Sequence, residues 1–165
     1  MPYRVSIQPP VLYASWRGFT LEELREVIGR IAEMRRTTGR PVAYMSRIPP
    51  GEHVFSEAEQ QGMLEFLQAA LPHCSTIHLV VEGDGFLKSA RLAIATQLVR
   101  ATPRPRDIHT HSTIEEGLRA VKSLYGVEVS EPFPSRPPQA PERASGAFRQ
   151  AARIAESGRT PPRKG

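Results

Sequence analysis

The stretch Thr76-Ile77-His78-Leu79-Val80-Val81-Glu82, followed at once by Gly83-Asp84-Gly85 and by FLKSARLAIATQL (86–98), decides the fold. Residues 76–82 are mostly apolar and β-branched, the composition of a central strand covered on both faces. The two glycines mark a tight turn. Beyond it Phe86, Ala90, Ala93, Ile94 and Leu98 recur at spacings of three and four, which predicts a helix buried along that face. A buried strand running directly into an amphipathic helix is half of a βαβ unit.

The same alternation extends in both directions. Upstream, VLYASW (11–16) reads as a strand. Thr20-x-x-Glu23 is a capping box opening a helix through about Arg36, with Leu21, Leu24, Ile28, Ile31 and Met34 as its apolar stripe. Gly39 suits the left-handed position after that helix, and PVAYMSRI (41–48) is the next strand. Ser56-x-x-Glu59 is a second capping box, and Met63, Leu64, Leu67, Ala70 and Leu71 follow as an inner face. Downstream, DIHTHS (107–112) is a short strand. Ser112-x-x-Glu115 or Thr113-x-x-Glu116 starts a last helix with Ile114, Leu118, Val121 and Tyr125 inward. RVSIQ (4–8) adds an antiparallel edge strand. The expected fold class is α/β, with a small, mostly parallel sheet of four or five strands packed with four helices.

Composition changes after Gly126. Residues 127–165 hold seven of the 16 prolines and seven basic against four acidic residues, a net +3 that leaves +2 of the total +5 for residues 1–126. With few large apolar residues, this stretch reads as a flexible basic tail. A short amphipathic helix at 142–157, centred on Phe148, is its one patterned segment. Phe148, Arg149 and Arg153 are its candidate contact residues, and the tail is expected to serve as a docking arm for a partner protein. The division is thus 1–126 for the α/β domain and 127–165 for the tail.

The strand ending in Trp16-Arg17-Gly18, the helix TLEELREVIGRIAEMRR, the strand GRPVAYMSRI, the run HLVVEGDGFLKSARLAIATQL and the ending IHTHSTIEEGLRAV together resemble STAS and STAS-like domains. Sporulation anti-anti-sigma factors typify these domains, and the nearest likeness is to divergent bacterial members. The resemblance covers about residues 4–126 and implies a regulatory or scaffold module that works by binding another protein. It further implies an interaction surface at Val54, Phe55 and Ser56, with Ser56 in the position of the family's phosphorylated serine. Here the loop reads His53-Val54-Phe55-Ser56-Glu57-Ala58, without the family's preceding aspartate or following glycine. Glu57 and Glu59 would set like charge beside a phosphate, so the residues themselves read Ser56 first as an N-cap. Val54 and Phe55 read either as an exposed apolar patch or as a hydrophobic staple with Phe55 inward. Some relatives bind nucleotides or apolar ligands, which makes a small-molecule carrier the alternative function.

Catalytic equipment is not legible, so the chain is expected not to be an enzyme and to need no cofactor. Cys74 is the single cysteine, which excludes an internal disulfide and every multi-cysteine metal site. Its neighbour His73 does not make it a nucleophile, because adjacent loop residues rarely face one another. His109 and His111 alternate on a strand, with Asp107 two residues before, but short polar strand ends explain them without a metal. Gly83-Asp84-Gly85 lacks the remaining glycine of a dinucleotide fingerprint and the Lys-Ser/Thr of a phosphate loop. Arg35, Arg36, Arg40 and Arg100, Arg104, Arg106 are basic clusters without interleaved aromatics, so nucleic-acid binding falls to the tail as a third reading. No run approaches the roughly 18 apolar residues of a membrane span, and a cytoplasmic protein is expected. The edge at RVSIQ would allow pairing between copies of the chain.

Overall fold

A computed structural model describes residues 3–51 and 53–129. Five strands, β1 (Tyr3–Gln8), β2 (Val11–Trp16), β3 (Val42–Ile48), β4 (Cys74–Val81) and β5 (Ile108–His111), form one sheet in the order β1-β2-β3-β4-β5. β1 pairs antiparallel with β2, and every other pairing is parallel. Four helices complete the α/β fold: α1 (Leu21–Thr38), α2 (Glu57–Ala70), α3 (Gly85–Arg100) and α4 (Ile114–Tyr125). Among the described residues, no helix is long and apolar enough to cross a membrane.

The strand order explains the layering. Each parallel step from β2 to β5 moves the same way across the sheet, so right-handed crossovers deliver α1, α2 and α3 to one face. Strand residues pointing there, among them Leu12, Tyr44, Ile77 and Leu79, join Val27, Ile31, Phe66 and Leu98 in the larger core. α4 follows the last strand without a crossover to make and lies on the opposite face, over Val11, Tyr13, Ala43, Met45 and Val80. Gly117 permits this docking, since a Cβ there would stand 2.7 Å from both Met45 Cε and Val80 Cγ2.

Local chemistry fixes the helix ends. Both capping boxes form, Thr20 with Glu23 and Ser56 with Glu59, each contributing about 1 kcal/mol. α4 uses Thr113, whose side chain accepts from Glu116 N. Glu82, at the end of β4, receives Arg47 at 2.8 Å and accepts from Ile114 N at 3.2 Å. This half-buried carboxylate ties β3, β4 and the start of α4 together, at the helix end where negative charge is favoured.

Three expectations are corrected. α3 is rotated relative to its apolar pattern: Phe86 is 84% exposed and Ala93 exposed, whereas Arg91, Ala95 and Leu98 are buried. The reason lies in the hydrogen bonds of Arg91, given below. Leu21 is half-exposed, while Val27 and Phe66 enter the core. Val127 and Val129 pack against the α4-side core, so the globular part runs past Gly126. The segment 142–157, with Phe148, Arg149 and Arg153, lies outside the described residues.

Candidate functional site

Between the sheet and the three same-side helices, at the carboxyl ends of β2, β3 and β4, lies a cavity of about 500 Å³. Its floor is strand residues, chiefly Tyr44, Ser46, Leu79 and Val81, and its helical wall includes Phe66, Ala95 and Leu98. Residues 17–19, 49–51, His53 and Phe55, from two loops, line the top. Ser46 and Ala95 contribute small side chains to a lining that otherwise holds large ones such as Trp16, Tyr44 and Phe66, and they leave space unfilled.

An aromatic row forms one side. Trp16 stacks on Tyr3 with ring centroids 4.8 Å apart, meets Phe19 edge-on at 6.1 Å, and Phe19 leads to Phe55 at 5.9 Å. Trp16 Nε1 donates to Tyr44 Oη at 3.2 Å, which satisfies two buried polar groups at once. Burial holds the Tyr44 hydroxyl above its ordinary range, against the opposing effect of hydrogen bonds with Ser46 and Trp16, so it is neutral.

Arg91 is the charged group of the wall. It is 3% exposed. Its Nε donates to the His53 carbonyl at 2.8 Å, Nη1 to the Pro49 carbonyl at 3.3 Å, and Nη2 to the Gly51 carbonyl. One guanidinium thus binds three carbonyls of the loop between β3 and α2. No other side chain offers so many donors in one fork, which accounts for the turn of α3 that brings Arg91 inward and sends Phe86 out.

The sequence-derived surface residues are divided by the fold. Val54 is 41% exposed, but Phe55 is 7% exposed, faces the cavity, and contacts Phe19 and His53. The two do not form one exposed patch; Phe55 sits inward before the helix as a staple does. Ser56 is the N-cap of α2: its Oγ accepts from Glu59 N at 3.3 Å and donates to Glu59 Oε2 at 2.8 Å. These bonds, led by the Ser56 amide, hold the Glu59 carboxyl below its ordinary range. A carboxylate already at this hydroxyl opposes a phosphate there.

The opposite face carries a second polar arrangement that sequence spacing shows only in part. His109 and His111 share a face of β5, as alternation requires, but their third companion is His78 on β4 and not Asp107. Asp107 instead pairs with Arg104 at 3.3 Å. His78 lies stacked between His109 (5.1 Å) and His111 (5.3 Å). Hydrogen bonds run from His111 Nε2 to His78 Nδ1 (3.0 Å), from His78 Nε2 to Thr76 Oγ1 (3.2 Å), from Thr76 to Tyr125 Oη (2.6 Å), and on to Ser75 Oγ (2.8 Å). Ser75 Oγ donates to the Val42 carbonyl at 3.3 Å. A carbonyl only accepts, so every donor in the chain points toward it, and His78 carries its proton on Nε2. Burial, reinforced by His109 and His111, pushes His78 down to about 4, and burial also lowers His111. Neutral His78 therefore ties α4 to the sheet. Among the described residues, no three His, Cys, Asp or Glu side chains are arranged to hold a metal ion.

The remaining candidates are structural. Cys74 is buried, and that burial pushes its thiol up to about 12 despite Arg104 and Arg35 nearby. Arg35 donates to the Pro72 carbonyl, and Arg104 to the carbonyls of Leu71 and Cys74. Arg36 pairs with Glu33 at 2.5 Å. Gly83 and Gly85 both have positive φ, 121° and 62°, so the Gly83-Asp84-Gly85 segment is a turn that only glycine makes without strain. No family model and no curated protein matches the chain.

Proposed function

We propose that the chain is a non-catalytic binding protein whose site is the cavity at the carboxyl ends of β2, β3 and β4, and that its ligand is small and mainly apolar. The observation that carries this reading is the cavity itself: about 500 Å³, walled largely by aromatic and aliphatic side chains with a few polar groups among them. That size and lining match small-molecule sites, which span roughly 300–1,000 Å³. The position agrees with the general tendency of α/β sheets to bind ligands beyond their strand ends. The resemblance to STAS-like domains is compatible with it, because some relatives bind apolar ligands. A regulatory module acting through Val54, Phe55 and Ser56 draws less support, since Phe55 is buried and the Ser56 hydroxyl is engaged.

Titration of the full chain with Nile red, an uncharged apolar fluorophore, tests the reading. Saturable emission at one site is expected, lost in Ala95→Trp, whose indole would occupy the cavity, and weakened in the milder Ser46→Leu. A folded wild-type protein without saturable binding would overturn the proposal. So would binding unchanged in a folded Ser46→Leu.

A further inference from the structure

We infer that the ligand is a neutral, apolar carbonyl compound whose carbonyl oxygen accepts a hydrogen bond from the Ser46 hydroxyl on the cavity floor. Trp16 and Tyr44 are the positioning residues for that hydroxyl. The inference rests on the ligand-binding reading above and adds the functional group that the ligand carries and the residue that reads it.

The first observation is the place of Ser46. It lies on β3 aligned with Ala14 of β2 and Leu79 of β4, and alternation puts Tyr44 and Ile48 on its own face. A hydroxyl thus stands among apolar and aromatic neighbours, at a floor position that alanine would fill without a polar atom. Ser46 is 7% exposed, and it lines the cavity.

The second observation is a count of protons. Trp16 Nε1 donates to Tyr44 Oη at 3.2 Å. An indole N–H only donates, so this bond occupies an acceptor position of Tyr44 and leaves the phenolic proton to be placed. The other hydrogen-bond partner of Tyr44 is Ser46. Two hydroxyls joined by one hydrogen bond spend one of their two protons, and the second proton has no acceptor among the described residues. Tyr44 is fully buried, so its proton goes to Ser46 Oγ, the acceptor within its reach. The proton left over belongs to Ser46, the member of the pair with some exposure. The order Trp16, Tyr44, Ser46 therefore ends on a donor facing the cavity, whereas the histidine chain on the opposite face ends on the Val42 carbonyl.

The third step is the chemistry of the missing acceptor. A buried donor without a partner is costly, and a ligand oxygen at that spot removes the cost. One neutral hydroxyl cannot offset the desolvation of a carboxylate beside Phe66, Leu79 and Val81, so the acceptor is uncharged. A carbonyl oxygen accepts without bringing a proton of its own. An alcohol or an amine would import a donor in need of a further acceptor. The aromatic and aliphatic remainder of the lining suits the hydrocarbon body of such a molecule.

Competition with Nile red on the full-length protein tests the inference, with the affinity of Nile red measured for each variant. The competitors are butyrophenone, its hydrocarbon isostere α-propylstyrene, in which a methylene replaces the oxygen, and phenylbutyrate. Ser46→Ala should weaken butyrophenone roughly tenfold, the loss of one buried hydrogen bond, and leave α-propylstyrene within about twofold. Tyr44→Phe should weaken butyrophenone by a smaller factor, and phenylbutyrate should be the weakest competitor on wild-type protein. Should Ser46→Ala not fold, the NMR signal of the carbonyl carbon of butyrophenone bound to wild-type protein decides. A position downfield of that in hexane is expected, and the hexane position overturns the hydrogen bond. Equal effects of Ser46→Ala on ketone and hydrocarbon, or none on either, overturn it as well while leaving the cavity reading intact. Phenylbutyrate stronger than butyrophenone overturns the neutral head, and Nile red that yields to none of the three overturns the ligand class. Failure of Nile red to bind removes the cavity reading and this inference with it.

Discussion

Replacing Gly117 by alanine probes how closely α4 sits on the sheet. In an exposed helix interior, glycine to alanine stabilises by about 1 kcal/mol, because alanine loses less backbone entropy on folding. Gly29, in α1, meets that condition: a Cβ there has nothing within 4 Å. At Gly117 the same atom would stand 2.7 Å from Met45 Cε and 2.7 Å from Val80 Cγ2, with His111 Cδ2 at 3.7 Å. The Met45 end can swing, but Val80 is β-branched, fully buried and restricted at χ1, so relief comes chiefly from lifting α4. Such overpacking costs about 1–3 kcal/mol. Gly29→Ala should therefore gain about 1 kcal/mol, and Gly117→Ala should range from neutral to a loss of about 2 kcal/mol. Their difference, about 1–3 kcal/mol, isolates the packing cost because both share the propensity gain. Urea midpoints at matched m-values measure it; in thermal melts it corresponds to roughly 3–9 °C for a chain of this size. A Gly117→Ala protein as stable as Gly29→Ala would refute the close docking of α4.

Three further outcomes are expected. His78 lies at about 4 in the folded protein, against its ordinary 6.5, so the unfolded chain binds more protons in that window and stability falls as pH drops from about 6.5 to about 4. At about 1.4 kcal/mol per pH unit the loss has a ceiling near 3 kcal/mol; chemical denaturation across that range should show it, and His78→Gln with an unchanged pH slope would contradict it. Phe55→Asp should lower stability by about 3 kcal/mol through an unpaired buried charge, whereas Val54→Asp should change it by less than about 0.5 kcal/mol; equal melting temperatures for the two would be incompatible with the inward Phe55. Cys74, with its thiol pushed up to about 12, should react with an aromatic disulfide reagent at pH 8 at least about a hundredfold more slowly in native protein than in urea, and comparable rates would show the thiol to be accessible.

The elements of the fold were legible because each rests on local chemistry. The two capping boxes at Thr20 and Ser56, the left-handed Gly39, the β-branched run before Gly83 and the proline breaks after Arg100 act within a few residues of themselves. From these the α/β class followed, and the structure bears it out. Helix phase was less accessible. The pattern of α3 placed Phe86 inward because burial of an aromatic is the default for an apolar stripe. The competing demand, three loop carbonyls needing donors from Arg91, comes from residues about forty positions away. The histidines divide the same way: the His109–His111 alternation is visible along β5, but His78 joins them only through the parallel register of β4 with β5.

The sequence by itself determined the order of strands and helices, since periodicity and caps are properties of contiguous residues. Tertiary structure alone decided that three crossover helices share one face and α4 the other. It also decided that Phe55 faces inward, and that a cavity opens where Ser46 and Ala95 are too small to fill the space beneath the loops. The physical reason is that a cavity is a deficit of volume summed over side chains from several elements, a quantity that belongs to no single stretch of the chain.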